Sequence, residues 1–150
     1  MAYTRILYHI IFRTKASEKS ISLEQAPELY RYIWGIVKNK KCFLYRINGM
    51  EDHIHILIDL HPSVALSDFI KSVKVASSKW MKESELFPDF KGWGIKYCAL
   101  TYSLNEKDII INYIKNQQSH HKNESFQEEI HRLWKEAEIE DDIKWFWVDN

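Results

Sequence analysis

"CFLYRINGMEDHIHILIDL", residues 42–60, is the stretch that decides the architecture of this chain. Residues 42–48 (CFLYRIN) and 53–60 (HIHILIDL) are both rich in β-branched and aromatic residues, which favour extended backbone. Gly49 and the residues after it make the turn between them. Pro62 ends the second run, because proline offers no N–H to a strand ladder. The stretch therefore reads as two antiparallel strands, and its flanks decide what sheet they join.

Upstream, residues 5–13 (RILYHIIFR) read as another strand. Ser22 is placed to cap a helix from about Leu23 to Lys40, with Leu29, Ile33, Ile36 and Val37 on one buried face. Downstream come a long helix over 64–83 and a fourth strand over 96–102 (KYCALTY). Ser103 with Glu106 forms a capping-box signal for a helix running to about His121, and a last helix spans roughly 124–138. The order β-α-β-β-α-β followed by two helices predicts an α+β, ferredoxin-like (split βαβ) fold, with helices packed on one side of an antiparallel sheet.

The 150 residues suit one domain, 1–150, and 45% hydrophobic with 28% charged residues excludes a disordered chain. Cys42 and Cys98 are too few for a disulfide framework and fit a reducing compartment. The N-terminal run MAYTRILYHIIFRTK lacks a small-residue cleavage site, and no apolar run approaches the ~20 residues of a membrane span. The expectation is a soluble cytoplasmic protein without a membrane partner. The net charge of +0 hides an imbalance: residues 124–150 carry 3 Lys/Arg against 9 Asp/Glu, leaving 18 basic and 12 acidic residues in 1–123. An acidic tail on a basic body is compatible with a nucleic-acid partner.

Side chains alternate along a strand, so His53 and His55 share one face while Ile54, Ile56 and Ile58 share the other. The isoleucines bury against helices, leaving the imidazoles side by side on the open face, ~7 Å apart at the backbone. That spacing suits two nitrogens converging on one divalent metal. Glu51, Asp52 and Asp59 lie close enough in sequence to orient a ligand ring. The plain alternative is a pair of surface histidines.

In the helix 104–121 (LNEKDIIINYIKNQQSHH), Tyr113 and Gln117 are spaced for one face, flanked by Ile109, Ile110 and Ile114. Both polar tips would then sit on the inward side. A buried glutamine needs partners, and coordination of a metal through its carbonyl oxygen is one solution. A phenol is a weak nucleophile at neutral pH, so attack by Tyr113 requires a metal-polarised phosphodiester and a pocket that favours phenolate. His120 and His121 follow one turn on.

In the helix 64–83, Leu66, Phe69, Ile70, Val73, Ala76 and Trp80 gather on one side, and Lys71, Lys74, Lys79 and Lys82 on the other. This is either a solvated face or a surface that tracks DNA phosphates.

An H-hydrophobe-H pair in a central strand, followed by a helix bearing Y-x-x-x-Q and ending in His-His, resembles the single-tyrosine HUH transposases of small bacterial insertion sequences, of the IS200-like and REP-associated types. The resemblance runs from "YHIIFRTK" through "INGMEDHIHILIDL" and "FIKSVK" to "INYIKNQQSHH". It implies that His53, His55 and Gln117 hold Mg²⁺ or Mn²⁺. It also implies that Tyr113 attacks a single-stranded DNA phosphate, leaving a 5′-phosphotyrosine link and a free 3′-hydroxyl for rejoining. Hairpin DNA as partner and a homodimer are further implications of the resemblance, as is a tyrosine helix that often completes the other subunit's site. "FKGWGIKYCALTYS" is a loose version of the family's segment there. Alternatives are a non-catalytic single-strand-binding module on the same fold and a domesticated HUH nickase. A histidine phosphoesterase would want a third histidine where Leu57 stands.

Overall fold

The computed structural model describes residues 2–149. Four strands, β1 (Leu7–Arg13), β2 (Phe43–Gly49), β3 (His53–Asp59) and β4 (Cys98–Leu100), form one sheet in the order β2-β3-β1-β4. Every pairing in it is antiparallel. Helices α1 (Ala26–Asn39) and α2 (Leu66–Glu83) connect the strands. Helices α3 (Lys107–Lys115), α4 (Gln117–His120) and α5 (Phe126–Glu136) follow the last one. This is the expected α+β, ferredoxin-like arrangement.

Strand alternation sorts the core into two layers. Ile10 and Phe12 of β1 and Ile54, Ile56 and Ile58 of β3 pack with Leu29, Ile33 and Val37 of α1 and Phe69, Ile70 and Val73 of α2. On the reverse face, Ile11 packs with Phe126, Ile130 and Leu133 of α5. Leu7 and Leu57 on that face meet Ile110 and Ile114 of α3. Helices thus cover both faces of the sheet, so the face carrying His53 and His55 is not open as the strand pattern suggested: both rings are fully buried.

The hairpin between β2 and β3 depends on Gly49. A Cβ there would lie 2.2 Å from the His53 carbonyl oxygen, and the Met50 N–H closes the turn onto that same oxygen at 3.0 Å. A register shift between Leu44 and Arg46 lets Leu44 and Ile47 both join the α1/α2 core.

Several boundaries differ from the sequence expectation. Helix α1 starts at Ala26, not Leu23, with a proline in its first turn. The Ser22 carbonyl, not its hydroxyl, takes the N–H groups of Gln25 and Ala26. Strand β4 is short because the backbone before it bends away, with the Gly94, Ile95 and Lys96 carbonyls turned toward Lys74. The continuous helix expected over 104–121 breaks at Asn116. There the Asn48 side chain caps the end of α3, donating to the Ile114 and Lys115 carbonyls at 3.1 and 3.0 Å.

Candidate active site

Strand β3 delivers His53 and His55 to the centre of the sheet. Asp52, in the turn, lies 2.7 Å from His53 Nδ1 and accepts its N–H, which turns Nε2 toward the interior. His55 Nδ1 contacts His9 Nε2 at 2.8 Å, and His9 Nδ1 reaches the Tyr102 hydroxyl at 3.3 Å. A chain of partners behind the pair thus aims both Nε2 atoms forward. Of the three carboxylates near in sequence, Asp52 is the one that orients a ring; Asp59 pairs with Arg5 instead.

The atom both rings face comes from α5. Glu129 Oε1 lies 3.4 Å from His53 Nε2 and 3.1 Å from His55 Nε2, and its side chain is fully buried. His121 Nε2 joins at 3.0 Å. The Gln117 carbonyl oxygen lies 3.4 Å from His53 Nε2 and 3.0 Å from His121 Nε2. Its amide donates to Glu129 Oε2 at 3.0 Å. Both polar atoms of the buried glutamine therefore have partners in this cluster.

Tyr113 arrives on the same carboxylate from the other side. Its hydroxyl donates to Glu129 Oε2, and Arg132 Nη2 donates to the phenol oxygen at 2.8 Å. Arg132 is itself held by Glu124, with both nitrogen–oxygen contacts at 3.1 Å. The phenol ring lies 6.0 Å from the His55 ring, centre to centre, within one chain. Ile110 and Ile114 pack beneath the helix as expected, whereas Ile109 is 67% exposed and does not flank the site.

The electrostatics correct one expectation. Tyr113 is raised well above the usual phenol range by burial first, then by the Glu129 charge and hydrogen bond, with Arg132 opposing. This pocket alone therefore favours phenol, not phenolate. Burial would raise Glu129 too, but the His55 charge and hydrogen bonds from His121, His53 and His55 outweigh it and hold the carboxylate ionised. Burial lowers His55, and burial with the His55 charge lowers His9. For His53 burial is outweighed by Asp52 and Glu129, and its pKa rises.

The four lysines of α2 divide. Lys71, Lys79 and Lys82 are exposed. Lys74 instead turns inward, donating to the Gly94, Ile95 and Lys96 carbonyls at 2.8, 3.1 and 3.2 Å, with its ammonium 5.2 Å from the Phe12 ring centre. Helix α2 also lies on the sheet face opposite the histidines.

The family model for "Transposase IS200 like" matches residues 2–117. The chain belongs to the IS200-like transposase family. It is 30% identical over 117 residues to the ISDra2 transposase TnpA of Deinococcus radiodurans, a match covering 73% of this chain and 82% of that protein. A crystal structure of a transposase from the same organism is similar with a TM-score of 0.61 and 29% identity, over 77% of this chain and 93% of that one. A REP-associated tyrosine transposase bound to a REP hairpin shares the fold at a TM-score of 0.58 and 11% identity, over 81% and 72% of the chains. The family makes this transposase a DNA-cleaving enzyme.

Sequence reading missed Glu129, His9 and Arg132 as members of this site. Glu129 left a signal: it falls between Phe126, Ile130 and Leu133 on the apolar face of α5, where a carboxylate needs a reason. His9 occupies an inward position of β1 between Leu7 and Ile11. Arg132 gave no sign, since its function depends on where α5 docks.

Proposed function

We propose that this transposase cleaves and rejoins single-stranded DNA at hairpin-flanked ends through a 5′-phosphotyrosine link to Tyr113. The observation that carries the reading is that Tyr113 and the pair His53/His55 meet on one buried carboxylate within a single chain. The hairpin as substrate class is supported by the fold shared with the REP-associated transposase and its bound hairpin.

The donor set fits a divalent cation: Nε2 of His53, Nε2 of His55 and the Gln117 oxygen converge on a buried point, and a cation bound there would take the place of the Nε2 protons. Bound there, Mg²⁺ or Mn²⁺ would polarise a phosphodiester oxygen and offset the Glu129 charge that opposes phenolate. The residues do the rest. Arg132 holds the phenol oxygen and favours its anion, and Asp52 and His9 keep the two rings aligned. Attack of the Tyr113 oxygen on phosphorus forms the tyrosyl–phosphate bond and breaks the bond to the 3′-oxygen. The phenolic proton leaves along its hydrogen bond to Glu129 and one proton is delivered to the departing 3′-oxygen, so the proton count balances and Glu129 ends ionised. Bond energy is conserved, so a 3′-hydroxyl can reverse the step onto another linked end.

Lys71, Lys79 and Lys82 fit a role in gripping DNA away from the scissile phosphate, since they lie across the sheet from it. A homodimer remains part of the proposal, to be read from the mass in solution. It is not needed to bring tyrosine to histidines.

The test is incubation of a hairpin oligonucleotide carrying a single-stranded flank with the protein and Mn²⁺ or Mg²⁺, followed by a denaturing gel. A denaturation-resistant protein–DNA band is expected, absent in Tyr113→Phe and lost in His53→Ala. A band that persists in Tyr113→Phe removes that residue from the chemistry.

A further inference from the structure

The family match ends at residue 117, yet the site does not. His121, in the turn after α4, and Glu129, on α5, follow that boundary and reach the same point as the histidine pair. One ligand atom each from His53, His55, His121 and Glu129 lie within 4.8 Å of one another. We infer that His121 and Glu129 are cation ligands, and that their addition makes this a site for a transition metal such as Zn²⁺, Co²⁺ or Mn²⁺ in preference to Mg²⁺.

Three observations converge on this. The set is nitrogen-rich: three imidazoles and one carboxylate oxygen. Imidazole suits first-row transition metals, whereas Mg²⁺ takes oxygen and water. The donors are also buried. His53, His55, Gln117 and Glu129 are fully buried, and the Phe126 ring stacks flat on His53 at 3.6 Å between centres. Mg²⁺ gives up its waters reluctantly, and here several would have to yield to buried side chains. Finally, the carboxylate is built in rather than incidental. The Ser125–Glu128 capping box starts α5 one turn before Glu129. Phe126, Ile130 and Leu133 then fix the helix to the sheet. A carboxylate so deeply placed, with three imidazole nitrogens within 3.4 Å, has the geometry of a ligand.

The inference rests on the cation point of the proposed function, but binding tests it without DNA. The full chain, stripped with chelator, is titrated with Co²⁺ and followed by visible absorption and by melting temperature, with Mg²⁺ at matched concentration alongside. The wild type is expected to develop ligand-field bands and a rise in melting temperature with Co²⁺ and little change with Mg²⁺. Glu129→Gln, which keeps shape and volume, and His121→Gln are each expected to weaken Co²⁺ by ~10-fold or more and to alter the bands. Glu129→Asp, which keeps the carboxylate, restores part of the affinity. Wild-type affinity and spectrum in both Gln variants, with binding lost in His53→Ala, would overturn this inference and leave the proposed function standing. Equal stabilisation by Mg²⁺ would overturn the metal preference. No binding of either ion by the wild type would overturn the inference and the cation point beneath it.

Discussion

Replacing Tyr113 with phenylalanine removes one oxygen and nothing else, so its stability cost can be worked from the contacts of that oxygen. The hydroxyl gives one hydrogen bond, to Glu129 Oε2, and receives one, from Arg132 at 2.8 Å. Neither charged partner is stranded by the change: Glu129 Oε2 keeps the Gln117 amide at 3.0 Å, and Arg132 keeps Glu124 at 3.1 Å. The loss is therefore close to the net worth of hydrogen bonds to charged groups rather than that of an orphaned buried ion, about 2 kcal/mol. For a chain of this size that corresponds to a melting temperature lower by about 4–8 °C. The assay is thermal unfolding of both proteins in chelator, where no cation intervenes. A second reading comes from the ultraviolet difference spectrum on alkaline titration. Tyr113 is held above the ordinary phenol value, so wild type minus variant shows no phenolate band at the ordinary midpoint near pH 10. Coincident melting curves, together with a phenolate that appears near pH 10, would refute the contacts on which the active-site reading stands.

Arg132→Ala is expected to slow adduct formation by ~10²–10³-fold with hairpin binding unchanged. Arg132→Lys recovers only part of this, because a lysine cannot hold Glu124 and the phenol oxygen in one plane; single-turnover rates on gels decide it. A Lys71/Lys79/Lys82 triple alanine variant should flatten the salt dependence of hairpin affinity by ~0.9 per lost duplex contact, whereas Lys74→Ala should lower stability through three abandoned carbonyls. A fluorescence-anisotropy salt series checks the first and urea unfolding the second. Asp149→Asn leaves the buried Arg13 guanidinium without its carboxylate, which lies 2.8 Å from Nη2, and is expected to cost about 3 kcal/mol in urea unfolding. Burial would raise the Asp149 pKa, but the Ala16 N–H and Arg13 outweigh it, so its stabilisation is full above pH ~4 and fades as pH falls through the lowered value. The gap between wild type and Asp149→Asn should therefore narrow in acid.

What could be read from the chain divides along a physical line. The alternation in "HIHILIDL" places Ile54, Ile56 and Ile58 on one face and both histidines on the other, because a pleated strand leaves no other choice. Helical spacing likewise brings Tyr113 and Gln117 to one side, and the structure keeps them together despite the break at Asn116. Pattern is silent on what lies opposite an element. The strand shows that His53 and His55 share a face, but not that α5 closes over it. The run from Glu124 to the C-terminus reads as acidic surface until Glu129 is placed on the apolar side of its helix. The break itself depends on a distant residue, since the Asn48 amide caps carbonyls more than sixty positions along the chain. Charge misleads in the same way at Lys74: the amphipathic pattern assigns it to solvent, while a loop it cannot foresee turns three carbonyls toward it. At Asn116 and Lys74 a long-range partner overrode the local rule, and over the histidine face a long-range partner supplied what the rule left open. The same distinction explains why the tyrosine's place on its helix face was legible in the sequence but its protonation was not. The phenol's position follows from a helix, and its proton from a carboxylate sixteen residues away whose burial only the docked α5 creates.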